Sequence, residues 1–289
     1  MDTLSNPDRT PRSDSKSAPP LRRPPLTIVP GARPVRRTAR LRLVVPLLYL
    51  VAVASAELVT SLYNPQVGLA LHGFLFLIII LNASLSRDVS ERRFLMALSL
   101  APLIRLLSLS MPLSQFVPAD WYMIIGIPLF MAAYLVMRVA GYTRSQVGLV
   151  LGRKLPLQIA IGVAGLGLGY LEYFILHQRP LAESFTLSQV LPPTFILLVF
   201  TGLLEEFIFR GILQRAALAA YGSWIGLLYV SLLFAVLHIG YRSVPDFVFV
   251  LFVGLGFGLA VRYTHSILGV ALAHGLTNIA LFLIAPFFH

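Results

Sequence analysis

Six polar residues stand inside long apolar runs in the C-terminal third of the chain: Glu205, Glu206 and Arg210 in TGLLEEFIFRG, His238 in LLFAVLHIG, and His274 and Asn278 in LAHGLTN. Charged groups at membrane depth are costly and usually face a protein-lined cavity, so each is a functional candidate. A carboxylate and an imidazole at one depth can share a water and take its proton, making it a nucleophile. A second histidine and an asparagine can then donate hydrogen bonds to the developing oxyanion. Taken singly, each residue is explained as well by a hydrogen bond that staples two helices, worth about 1 kcal/mol. The set together reads as a hydrolase.

Helix geometry divides the labour. Adjacent helical residues point about 100° apart, so Glu205 and Glu206 cannot share a direction. Glu206 and Arg210 stand at i, i+4 with the acid on the N-terminal side, the arrangement that favours an ion pair. This predicts a positioning role for Glu206 and Arg210 and leaves Glu205 as the free carboxylate for proton transfer. At about 1.5 Å per residue, Glu205 lies roughly 21 Å from Ala219, His238 roughly 22 Å from Ser223 and Asn278 roughly 20 Å from His265. If those connections share a face, the candidates meet at one level, with His274 one turn lower.

The elements that carry them are membrane helices. Of 289 residues, 57% are apolar and 12% charged, and the mean hydropathy is +0.81, outside the range of a water-soluble domain. A bilayer core takes about 20 helical residues. Stretches of that order are Leu43–Leu62, Val67–Leu85, Phe94–Met111, Trp121–Met137, Leu157–Leu176, Leu191–Ala219, Ser223–Gly240, Pro245–Tyr263 and Ser266–Phe287. Pro102 and Arg105 interrupt the third. The predicted fold is all-α, a polytopic transmembrane bundle of eight or nine helices around a polar cavity.

The net charge of +11 is concentrated at the N-terminus, where residues 1–42 hold ten basic side chains against three acids. That segment is rich in Pro, Ser and Thr and too poor in apolar residues to repay the entropy of folding, so it is expected to be disordered. Beside the first span it reads as a positive-inside signal with a cytoplasmic N-terminus rather than as a nucleic-acid-binding arm. The connections with Arg87, Arg92 and Arg93, and with Arg138, Arg144, Arg153 and Lys154, fall on the same side. The first apolar run is read as a retained anchor, not a cleaved signal. The glycines Gly162, Gly165, Gly167 and Gly169, and Gly254, Gly256 and Gly258, are read as small residues for close helix packing, since no strand precedes them as a dinucleotide site requires. Glu57 and Glu172 also lie in apolar stretches, with a role or a simple pairing both open. Cysteine is absent, which excludes disulfides, thiolate metal sites and a cysteine nucleophile.

Around these residues the sequence resembles the bacterial relatives of the eukaryotic CAAX prenyl endopeptidase, the CAAX protease and bacteriocin-processing (CPBP, Abi) family of intramembrane endopeptidases. The resemblance covers about residues 141–286. Glu205, Glu206 and Arg210 match its Glu-Glu-x-x-x-Arg, Phe234 and His238 its Phe-x-x-x-His, and His274 and Asn278 its His-x-x-x-Asn. It implies that Glu205 and His238 activate the attacking water, and that His274 and Asn278 stabilise the oxyanion. Arg242 stands four residues after His238, where some members have Asn.

Metal is not favoured by the resemblance. The residue types leave it open, with Glu205, His238 and His274 as ligands if a divalent ion such as zinc is present. Blocks for other intramembrane peptidases (His-Glu-x-x-His, Gly-x-Ser-Gly, Gly-x-Gly-Asp) are missing from the sequence. The expected organisation is a basic cytoplasmic tail over 1–42, N-terminal membrane helices over 43–140 and a catalytic domain over 141–289, in a bacterial plasma membrane. The expected partners are membrane lipids and a peptide or membrane-protein substrate, with no nucleic acid. Two other functions fit the same residues: a non-catalytic scaffold or immunity-type protein, and a small-solute transporter.

Overall fold

The structure is a computed structural model that describes residues 39–288. The tail expected over 1–42 therefore lies outside the described residues, apart from the backbone of 39–42, which opens the first helix ahead of the apolar run. Nine helices and no strand are found among the described residues: α1 Ala39–Leu62, α2 Pro65–Leu85, α3 Val89–Ser110, α4 Pro118–Val139, α5 Leu155–Leu176, α6 spanning 187–221, α7 Ser223–Val236, α8 Val244–Thr264 and α9 Leu268–Phe288. Eight are long and apolar enough to cross a membrane, with α7 extended to Tyr241 by a short 3-10 turn; α6 is the ninth. The chain is an integral membrane protein.

Local chemistry sets the starts and breaks. Asn64 caps α2 by accepting from the Gln66 and Val67 amides, with Pro65 in the first turn, where its missing N–H is not needed. Asp88 does the same for α3. Pro102, which interrupts the sequence pattern, cannot donate to the Leu98 carbonyl; the regular helix is interrupted at Ser99, and α3 continues as one span.

Helix α6 departs most from regular geometry. Residues Leu197–Leu203 and Phe207–Leu213 are π-helical, and between them stands the single α-helical turn Leu204–Glu206 that holds both glutamates. Such turns are rare and gather at functional sites. The Thr201 hydroxyl donates to the Leu197 carbonyl within the first.

Helix α9 is the centre of the bundle, with 72% of its membrane window buried. It lies on the glycine face of α5, where a Cβ on Gly165 would come 2.1 Å from the Ala273 carbonyl oxygen and one on Gly169 2.2 Å from that of Thr277. The Thr277 hydroxyl donates to the Gly165 carbonyl across this contact at 3.0 Å. On its other side α9 meets α6 equally closely, since a Cβ on Gly202 would sit 2.6 Å from the Ala271 carbonyl oxygen. The close-packing reading of the glycines holds at Gly162, Gly165, Gly169 and Gly258, and a Cβ on Gly254 would also meet neighbours at 3.3–3.5 Å, whereas Gly167 and Gly256 face open space.

Hydrogen bonds between connections fix which ends meet. The Arg153 amide donates to the Thr264 carbonyl at 2.8 Å and the Ile267 amide to that of Gly148 at 3.0 Å, so the α4–α5 and α8–α9 connections share one end. The Arg242 guanidinium donates to the Ser61 carbonyl, joining the α7–α8 and α1–α2 connections at the other.

Candidate active site

Glu206 is fully buried, and its Oε1 accepts twice at 2.9 Å, from Arg210 Nη1 on the same helix and from His274 Nδ1 on α9. The i, i+4 ion pair expected from spacing is present. What the spacing could not show is that the same oxygen anchors a histidine on another helix. The Arg210 guanidinium lies 4.2 Å above the Phe234 ring centre, so Phe234 of α7 forms the floor of the cluster. The Phe234 ring is also 4.7 Å from that of His238 and 6.0 Å from that of His274.

Glu205 points away from this pair, as the 100° step requires. Its side chain is 29% exposed, and its Oε2 lies 3.9 Å from His274 Nε2. His274 thus faces one glutamate with each ring nitrogen. Through Nδ1 and the Phe234 carbonyl at 2.8 Å, His238 is fixed to its own helix. Asn278 donates from Nδ2 to the Thr201 hydroxyl at 2.8 Å, tying α9 to the π-helical segment of α6.

A cavity of about 380 Å³ opens in front of these residues. Glu205 and His238 both line it, together with Tyr122, Phe200, Tyr241 and Arg105. His274, Asn278 and Arg242 are not among the lining residues. Glu172 is buried on α5 and does not line the cavity either.

Arg105 is the lining residue that sequence reasoning missed as a site group, having counted it only as an interruption of a span. Its Nε donates to Glu57 Oε1 of α1 at 2.6 Å, and its Nη2 donates to the Leu237 carbonyl, immediately before His238. His72 of α2 is 3.4 Å from the same carboxylate oxygen. Glu57 therefore has a pairing role, and the N-terminal helices reach the His238 segment through Arg105. The available signal was the charge itself, because an arginine in an apolar span demands a partner. Among the described residues no group of three or more His, Asp or Glu side chains converges as a metal site would require.

These observations define a polytopic membrane protein with a buried glutamate, histidine and arginine cluster beside a largely apolar cavity into which Glu205, His238 and Arg105 bring polar groups, in place of the polar cavity expected. Residues 187–280 match the family model described as Type II CAAX prenyl endopeptidase Rce1-like, and the chain carries a domain of that hydrolase family. The match runs from the start of α6 into α9 and contains all seven residues of the three motifs; α5 and the α4–α5 connection lie outside it. No curated protein and no solved structure gave a match.

Proposed function

We propose that the protein is an intramembrane endopeptidase that hydrolyses a peptide bond in or beside the membrane with water activated by Glu205. The observation that supports this reading is the separation of the two glutamates: one is locked between Arg210 and His274, while its neighbour lines the cavity. In this mechanism Glu205 takes a proton from a water also held by His238, and the hydroxide adds to the peptide carbonyl carbon. His274 and the second amide N–H of Asn278, which stand behind the cavity wall, donate to the oxyanion once the substrate carbonyl reaches past Glu205. The C–N bond then breaks, and the proton held by Glu205 passes to the leaving amine, giving a carboxylate and a free amine. Glu206 sets the His274 ring orientation and Arg210 balances the charge of Glu206. The proposed catalytic part is 141–289, supported from 43–140 by the Arg105 contact, with the N-terminus in the cytoplasm.

The test compares membranes carrying wild type and Glu205→Gln. The variant is expected to lose about a hundredfold to ten-thousandfold in turnover, the range that general base catalysis supplies, and an uncut substrate should accumulate. A scaffold would keep its phenotype in this variant, and a transporter would show solute flux in proteoliposomes. The mechanism proposed here uses no metal, so activity should survive exhaustive chelation and dialysis. Loss on chelation with recovery on adding zinc would recast Glu205, His238 and His274 as ligands.

A further inference from the structure

A second cavity, of about 530 Å³, lies at the end of the bundle where the α4–α5 and α8–α9 connections meet. Its lining includes Arg93 of α3, Tyr142 of the α4–α5 connection, Arg210 and Arg215 of α6, and Arg262 and His265 at the end of α8, and no acidic side chain. Among the described residues Arg93, Arg215 and Arg262 take part in no ion pair. Arg93 and Arg215 instead lie over the Tyr142 ring, 5.3 Å and 5.8 Å from its centre.

Three buried donors in this lining have no partner among the described residues: the Tyr142 hydroxyl, Arg210 Nη2 and Arg262 Nη1. Tyr142 is 6% exposed and Arg210 3%. Burial pushes the Tyr142 hydroxyl up, which keeps it protonated and able to donate. Buried donors are rarely left unpaired, because an unmade hydrogen bond keeps its full desolvation cost. Here their residues line one half-open cavity together with cations that make no ion pair among the described residues.

We propose that this cavity is a binding site for a phosphate group, with Arg93, Arg215 and Arg262 as its cationic rim and the Tyr142 hydroxyl and Arg210 as its buried end. Guanidinium forks match phosphate oxygens in geometry as well as charge. The volume admits a phosphate with a small polar group attached. The position, at helix ends on the arginine-bearing face of a membrane protein, is where phospholipid headgroups are found. A soluble phosphate offers the same chemistry. Arg210 gives the site a route to the proposed catalytic cluster, because its other nitrogen Nη1 holds Glu206.

The experiment uses the full chain in neutral detergent and reads ligand binding by native mass spectrometry and thermal shift. The probes are phosphatidylglycerol, phosphatidylcholine, inorganic phosphate, and chloride at matched ionic strength. Wild type is expected to bind phosphatidylglycerol or inorganic phosphate in preference to phosphatidylcholine and chloride. Arg93→Gln with Arg262→Gln should bind that probe at least roughly tenfold more weakly, since each lost charge-assisted hydrogen bond is worth about a tenfold factor or more. A response to the lipid alone assigns the site to a headgroup, and an equal response to inorganic phosphate assigns it to soluble phosphate. Tyr142→Phe keeps the ring beneath the arginines and removes only the hydroxyl, so it reads the site if the double variant does not fold; a few-fold weakening is expected. Equal affinities in wild type and the variants would overturn the proposal and place the binding on the basic tail, whose charges are the same in all of them.

Discussion

Glu205 and Glu206 differ by one position and by nearly everything else. Glu206 accepts from two donors inside the bundle, so Glu206→Gln leaves Arg210 buried without its counter-charge and frees His274 to turn. A stability loss of about 3–5 kcal/mol is expected, the range for breaking a buried pair by removing one partner. Glu205 has no such duty, so Glu205→Gln should melt close to wild type while losing turnover. Equal melting losses in the two purified variants would remove the distinction. Arg105 is the residue whose importance exceeds its motif content, because it holds Glu57 and the Leu237 carbonyl at once. Arg105→Lys retains charge but not a fork that can span both groups. We expect a loss of about 1–3 kcal/mol together with lower turnover, and a Glu57→Gln, Arg105→Lys double variant should lose less than the sum of the two singles. Additive losses would mean that the pair acts independently.

At the scale of elements, the site exists because three helices approach more closely than ordinary side chains allow. The Gly202 crossing with Ala271 and Gly275 brings Glu206, one turn onward, within hydrogen-bond reach of His274. The glycine face of α5 holds α9 from behind. Gly165→Ala must push against the Ala273 backbone and should cost about 1–3 kcal/mol as overpacking, with turnover falling alongside. Gly167→Ala meets nothing within 4 Å. It should be neutral or stabilise by about 0.5–1 kcal/mol, because alanine loses less entropy in a helix. Melting curves of the two variants, two residues apart on one helix, test whether this face carries the packing. The flanking π turns have no signature in the composition of α6. Only the assembled bundle shows them.

At the scale of the whole molecule, the basic side chains set the expected orientation in the membrane. The connections joined by hydrogen bonds divide the helix ends into two sets. One set carries Arg87, Arg92, Arg93, Arg138, Arg144, Arg153 and Lys154, and the other carries Arg179 and Arg242. That asymmetry matches the positive-inside pattern, from which the expected orientation has the proposed phosphate-binding cavity on the cytoplasmic side. The chain has no cysteine, so single cysteines can be placed freely. Ser145→Cys should react with an impermeant thiol reagent only from the cytoplasmic side, and Tyr63→Cys only from the opposite side. The reverse result would invert the molecule and with it the side from which substrate and anion arrive.

Sequence by itself determined the membrane class, the number of spans to within one, and the residues of the cluster. These follow from the length of apolar runs and from the cost of placing charge among them, which are properties of single segments. The i, i+4 pairing of Glu206 with Arg210 was legible for the same reason, since both partners stand on one helix. Tertiary structure alone decided that His274 joins Glu206, that Asn278 turns to Thr201, and that Arg105 clamps the segment before His238. Each of these contacts joins residues on different helices, 48 to 132 positions apart for Arg105 and 68 for Glu206 with His274. No local period encodes such a contact; it depends on which small residues let the helices close and on where a buried charge finds its only partner.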